Sequence, residues 1–225
     1  MAALFRVKIC GITRIPDAIL AAESGADAVG LNFFPSSPRY VSPELAREIA
    51  RALPPSVCKV GVFVNSPAED VLRTADIVGL DVLQVHGDET PEDLCRLGSR
   101  PLLRAFRLGS SGLGPLLGFL DRCRKVGRVP EAILVDACRP GAYGGTGAVA
   151  NWKLVRDLGS RLAELPVVLA GGLTPANIAA AIATAAPAAV DTASGVESSP
   201  GRKDAVLVRA FVERALAALA QSPAS

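Results

Sequence analysis

FRVKICGIT, residues 5–13, is the stretch from which the fold is read. Its first six residues are an apolar-rich run ending in Cys10, and Gly11 stops it. A run of this kind predicts a strand passing into a loop. The pattern recurs along the chain. Strand-like runs fall at 5–10, 28–33, 58–64, 82–86, 102–106, 132–136, 167–170 and 189–192. Helical patterns lie between them, at 15–24, 43–53, 68–75, 91–97, 113–126, 149–162, 175–184 and 204–220. Ser42-Pro43, Thr90-Pro91 and Thr174-Pro175 read as helix caps followed by a first-turn proline. Eight strands alternate with eight helices, at about 28 residues per unit, which suits parallel strands joined by helical crossovers. The chain is therefore expected to form one α/β domain over 1–225, a single (β/α)8 barrel. An open doubly wound sheet carries a GxGxxG fingerprint after its first strand, and CGIT does not match it. Residues 110–114 (SSGLG) read as a loop, and the tail from about 221 to 225 is expected to fray.

Composition narrows the function. Half of the 225 residues are hydrophobic and 20% are charged, enough apolar material for a large core. The net charge is only +2, and no basic block or aromatic-basic alternation appears, so nucleic acid is not an expected partner. No apolar run is long enough to span a membrane. The N-terminus enters the first strand pattern with no separate hydrophobic signal segment, so a cytoplasmic location is expected. The five cysteines (Cys10, Cys58, Cys95, Cys123 and Cys138) are odd in number and include no CxxC pair, which speaks against a disulfide framework or a zinc knuckle. His86 is the only histidine, too few for a His-based metal site. No GxSxG elbow stands ready to use it in a serine triad.

In a barrel of this type the active site lies at the C-terminal ends of the strands. Those ends carry the reactive side chains. The first run ends in Cys10, the fourth in His86, the sixth in Asp136, the seventh in Ala170-Gly171-Gly172 and the eighth in Asp191-Thr192-Ala193-Ser194-Gly195. Taken singly, each has a plain structural reading. A lone cysteine often packs as a small hydrophobe. A carboxylate at a strand end often binds loop amides, and His86 either meets a ligand or fixes its own loop. Their collection at one rim is the stronger signal. Gly171-Gly172 and Ser194-Gly195 are either ordinary tight turns or two adjacent loops whose backbone amides approach an anion, the usual phosphate site of such barrels. Asp136 closes an apolar run, and partial burial favours the protonated carboxyl that a general acid needs. A thiol base needs its thiolate, and Lys8, two residues back on the same strand face, is a candidate to favour it. Arg39 lies in a proline-stiffened loop, where it is either a solvated surface residue or a clamp for a carboxylate.

KICGIT, GADAVGLNFFPSSPRYVSP, VGVFVN, LQVHGDE, ILVDA followed by GGTG, LAGGLTPANI and DTASGVE occur in this order from about residue 6 to residue 204. Together they resemble the phosphoribosylanthranilate isomerase family. That resemblance implies a (β/α)8 barrel in tryptophan biosynthesis. It implies an Amadori rearrangement of N-(5-phosphoribosyl)anthranilate to 1-(2-carboxyphenylamino)-1-deoxyribulose 5-phosphate. By the same resemblance Cys10 is the general base at C2′ and Asp136 the acid at the furanose oxygen. Arg39 faces the anthranilate carboxylate, and His86 and Asp191 line the site. Gly171, Gly172, Ser194 and Gly195 fall on the phosphate loops. No cofactor or metal is implied, the partner is a small-molecule substrate, and the protein is expected as a monomer or homodimer. One departure is visible: the family usually reads SSGVE where this chain has Ala193 in place of the first serine.

Two other readings stay in view. A histidine-pathway isomerase on the same fold does the same chemistry on a bulkier aminoimidazole substrate, but with aspartates and two half-barrel repeats. A non-catalytic sugar-phosphate-binding barrel would keep the glycine loops and need neither Cys10 nor Asp136.

Overall fold

The computed structural model describes residues 4–107, 112–136, 152–162 and 165–221. Eight parallel strands close in sequence order into a barrel, β1 pairing with both β2 and β8. They are β1 (Val7–Cys10), β2 (Ala28–Asn32), β3 (Cys58–Phe63), β4 (Val82–Val85), β5 (Leu102–Arg107), β6 (Ala132–Asp136), β7 (Val167–Ala170) and β8 (Ala189–Thr192). The helices that follow them are α1 (Ile15–Glu23), α2 (Pro43–Arg51), α3 (Ala68–Val78), α4 (Pro91–Cys95), α5 (Gly114–Val126), α6 (Trp152–Arg161), α7 (Ile178–Ala185) and α8 (Ala205–Gln221). The alternation read from the sequence is the alternation of the fold. Among the described residues no helix is long and apolar enough to cross a membrane.

Side-chain alternation along the strands divides the apolar residues into two separate cores. Val7, Ile9, Val29, Leu31, Leu83, Val85, Ile133, Val135, Leu169 and Val190 face the helices. Ala28, Val60, Val82, Leu103, Ala105, Ala132, Leu134, Val168, Ala170 and Ala189 fill the barrel itself. A side-chain period of two makes this unavoidable for strands covered on both sides. Each buried Val or Leu contributes about 1.5–3 kcal/mol. The same parity aims Lys8, Cys10, Gln84, Asp136 and Asp191 into the barrel, above the apolar fill. That is how an apolar core comes to carry a polar upper layer.

Some elements differ from the expectations. Thr174-Pro175 does not start α7. Thr174 donates its amide to Asn177 Oδ1 at 2.8 Å, a turn forms over 175–177, and the helix begins at Ile178. The helix expected over 113–126 runs Gly114–Val126. After β8 the chain makes a 3₁₀ turn (Ser194–Val196) and a small hairpin, β9 (Glu197–Ser199) with β10 (Arg202–Lys203), which the alternation of eight units did not predict. The GGTG motif at 144–147, Cys138, the expected start of α6 at 149–151, the SSGLG residues 110–111 and the tail 222–225 lie outside the described residues.

Candidate active site

The register of the barrel places the site residue by residue. Lys8 lies level with Asp191 across the β1–β8 pair, and Cys10 lies level with Gly30 across β1–β2. Lys8 is fully buried, and its Nζ donates to Asp191 Oδ1 at 2.7 Å. A buried ammonium is costly unless paired, and Asp191 supplies the pair. Burial disfavours the charged lysine, but Asp191 and the neighbouring Cys10 outweigh it, so the Lys8 pKa stands raised. Gly30 is a glycine for a steric reason: a Cβ there would sit 2.6 Å from Cys10 Sγ and 3.1 Å from Lys8 Cε. Removing that carbon makes the space that the thiol occupies.

The thiol itself corrects an expectation. Lys8 pulls the Cys10 pKa down as anticipated, and Lys203 adds to it. Burial pushes it up more strongly, with Asp191 helping, so the net direction is upward. The resting side chain is a thiol.

Arg39 is set by its loop. Asn32 Oδ1 accepts from the Phe34 amide, Asn32 Nδ2 donates to Ser37 Oγ, and Ser37 Oγ accepts from the Arg39 amide. Val41 donates back to the Asn32 carbonyl at 2.9 Å, so the loop closes on its own base. The Arg39 side chain runs across Gly11, where a Cβ would collide with its Cδ. Gly11 also has a φ of 72°, in the left-handed region. The guanidinium makes a side-on pair with Glu197, Nε to Oε1 at 2.8 Å and Nη2 to Oε2 at 2.6 Å.

Opposite, over β4, Gln84 Nε2 lies 3.1 Å from His86 Nδ1. With the amide donating, Nδ1 accepts and the ring proton is on Nε2. Burial pushes the His86 pKa down, so the ring is neutral. Gln84 is buried, and its Oε1 has no hydrogen-bond partner among the described residues. The loop carrying His86 is clamped from below by Arg104, which donates to the carbonyls of Val85 and Gly87 and to Glu89. Glu89 in turn accepts from the Asn65 and Gly87 amides.

Cys10, Arg39, His86, Asp136, Gly171, Gly172, Asp191 and Ser194 all line one pocket of about 280 Å³ at the C-terminal ends of the strands. Gly171 and Gly172 both take left-handed backbone, φ 93° and 64°. Gly195 does not line the pocket. A Cβ there would collide with the Leu173 carbonyl, so this glycine lets the loop after β8 lie against the loop after β7. Among the described residues no group of three or more His, Cys, Asp or Glu is placed to hold a metal ion.

A sequence model of the N-(5'-phosphoribosyl)anthranilate (PRA) isomerase family matches residues 7–214. The chain belongs to this family. The N-(5'-phosphoribosyl)anthranilate isomerase of Syntrophus aciditrophicus is 48% identical over 208 residues, covering 92% of this chain and 85% of that one. Among solved structures, the phosphoribosyl anthranilate isomerase of Thermotoga maritima has a TM-score of 0.82 at 40% identity, covering 95% of this chain and all of that one (100%). A second family structure, solved with reduced 1-(o-carboxyphenylamino)-1-deoxyribulose 5-phosphate, has a TM-score of 0.78 at 38% identity, covering 95% and 100%.

Four residues support the site from positions with weaker sequence signals. Gly30 sat inside an apolar strand run, where an isolated glycine signals close approach. Gln84 was a polar residue on the inward parity of a strand. Arg104 interrupted the apolar run of β5. Lys203 left no local signal, because its partners lie on three other segments.

Proposed function

We propose that this chain catalyses the isomerisation of N-(5'-phosphoribosyl)anthranilate to the 1-amino-1-deoxyribulose 5-phosphate of anthranilate, the Amadori step of tryptophan biosynthesis. The observation that carries the reading is the pairing of one thiol and one carboxyl, Cys10 and Asp136, in a single pocket beside the left-handed Gly171-Gly172 turn. Asp136 gives its proton to the furanose oxygen, the C1′–O bond breaks, and the nitrogen lone pair forms the C1′=N iminium. That cation acidifies C2′–H and stabilises the Cys10 thiolate against the upward push of burial, and the thiol proton passes, through water, to the Asp136 carboxylate left by the first step. The thiolate takes the C2′ proton, giving an enolamine. Loss of the enol proton and protonation of C1′ give the ketone. Every atom of the substrate is retained.

The two ends of the substrate are anions, and the pocket offers each a different host. The phosphate sits on the amides around Gly171, Gly172 and Ser194, with Gly195 keeping the second loop close to the first. The anthranilate carboxylate meets Arg39. Asp191 keeps Oδ2 for a ribose hydroxyl while Oδ1 stays on Lys8. His86 offers its Nε2–H to the same region. Free thiols at Cys10, Cys58, Cys95 and Cys123 suit a reducing cytoplasm.

Freshly generated phosphoribosylanthranilate fluoresces, and the reaction removes that fluorescence. Catalytic amounts of the protein are expected to abolish the signal and yield the ketose product. Persistence of the signal with folded protein present would refute the assignment.

A further inference from the structure

Lys203 is a buried cation beside the pocket whose partners include neither Asp191 nor the phosphate loop of Gly171 and Gly172. It stands at the end of β10, in the hairpin that was absent from the sequence expectation. Its backbone amide donates to Asp17 at 3.1 Å, and the neighbouring Gly201 carbonyl accepts from Thr13 Oγ1 at 2.5 Å, so the hairpin is fastened to the β1–α1 segment. The side chain is fully buried. Its Nζ donates to the Cys10 carbonyl at 2.6 Å, the Ala193 carbonyl at 3.1 Å and Glu197 Oε1 at 2.8 Å. Three acceptors need three N–H bonds, which only the protonated amine has.

Glu197 is consequently shared between two cations. Arg39 takes its Oε1 with Nε and its Oε2 with Nη2, the side-on edge of the guanidinium. The end-on edge, formed by Nη1 and the second Nη2 proton, has no partner among the described residues and is what remains for a ligand in the pocket that Arg39 lines. An arginine paired to a carboxylate alone is a neutral unit with little attraction for a second carboxylate. Here two cations share one anion, and the cluster keeps one positive charge.

We infer that Lys203 is a positioning residue for the carboxylate end of the substrate: its ammonium neutralises Glu197, so that Glu197 orients Arg39 without cancelling the charge that Arg39 presents to the ligand. The inference rests on the proposed contact between Arg39 and the anthranilate carboxylate.

The test compares two ligands on four proteins. One ligand is reduced 1-(o-carboxyphenylamino)-1-deoxyribulose 5-phosphate; the other is the same molecule lacking the ring carboxylate. The proteins are the wild type, Lys203→Met, Glu197→Gln/Lys203→Met and Arg39→Met, each checked for folding by thermal melt. Lys203→Met should weaken the carboxylated ligand at least roughly ten-fold, the scale of one charge at short range in a partly screened site. It should leave the decarboxylated ligand nearly unchanged. The double variant removes both charges, leaves no buried ion unpaired, and should recover most of the preference for the carboxylated ligand. Should Lys203→Met not fold, loss of that preference in the double variant still overturns the inference. So does equal weakening of both ligands by Lys203→Met, which would make the lysine a brace for the two carbonyls. Arg39→Met separates the two levels: if it leaves the preference intact, the Arg39 contact itself is wrong, whatever Lys203 does.

Discussion

The rim over β8, β1 and β2 is built with charges, whereas the rim over β4 is built with neutral groups. On the first, Lys8 pairs with Asp191, and Lys203 and Arg39 share Glu197. On the second, among the described residues, Gln84 bonds to a neutral His86 and keeps a buried oxygen without a partner. The Arg104–Glu89 clamp that steadies this side sits beneath the loop and outside the pocket lining. The difference teaches where rigidity and adaptability are placed. On the charged rim the side chains around Cys10 and Arg39 are held by ion pairs. The neutral rim keeps a buried hydrogen-bonding atom that the described residues leave unused.

Changes on either rim should therefore fail differently. The largest effect is expected at Asp136, between the two rims. Asp136→Asn keeps the shape and removes the transferable proton. Turnover should fall by at least ~10²-fold while affinity for the reduced product analogue stays similar, as measured by steady-state kinetics and calorimetry. An unfolded variant would instead give Asp136 a structural role.

Breaking the charged rim should cost stability first. Lys8→Met leaves Asp191 buried without its cation, a loss of about 3–5 kcal/mol by denaturant unfolding. Lys8→Met/Asp191→Asn should regain most of it. If the single variant is as stable as the wild type, the pair does not organise this rim.

A smaller steric change sharpens the same point. Gly30→Ala places a carbon 2.6 Å from Cys10 Sγ, so the thiol must shift. Overpacking of this kind costs about 1–3 kcal/mol. Turnover should drop with little change in ligand affinity, and normal turnover would show that the thiol position is not critical.

How far these features could be read in the sequence follows from how local each one is. Cys10, His86, Asp136 and Asp191 stand at strand ends, and strand ends are marked by parity and by the glycines that follow. The eight-fold alternation was legible for the same reason, and β6, β7 and β8 fall on the expected residues. The partner of Lys8 was not legible, since Asp191 lies 183 residues away and only barrel closure brings it alongside. The net upward push on the Cys10 thiol depends on burial, which a single strand cannot report. Glu197 was visible only as a letter of SGVE. The hairpin that links it to Lys203 is too short to disturb a pattern of eight longer units.

The smallest expected effect lies on the neutral rim. Burial holds the His86 pKa below its ordinary value of about 6.5. The unfolded chain then binds more protons than the folded one in the window below that value, so this residue makes stability fall as the pH drops through it. Melting temperatures across about pH 5 to 7 should fall less steeply in His86→Gln than in the wild type. Identical slopes would mean that the imidazole is charged or solvated in the folded protein.

Cys10, flanked by the Lys8–Asp191 pair, is the proposed base. Single-turnover decay of phosphoribosylanthranilate fluorescence with wild type and Cys10→Ser tests it most directly. The serine variant should bind the reduced product analogue as the wild type does and decay at least ~10²-fold more slowly, the scale of general base catalysis. Decay at the wild-type rate in Cys10→Ser would contradict the account and return Cys10 to the role of a packed core residue.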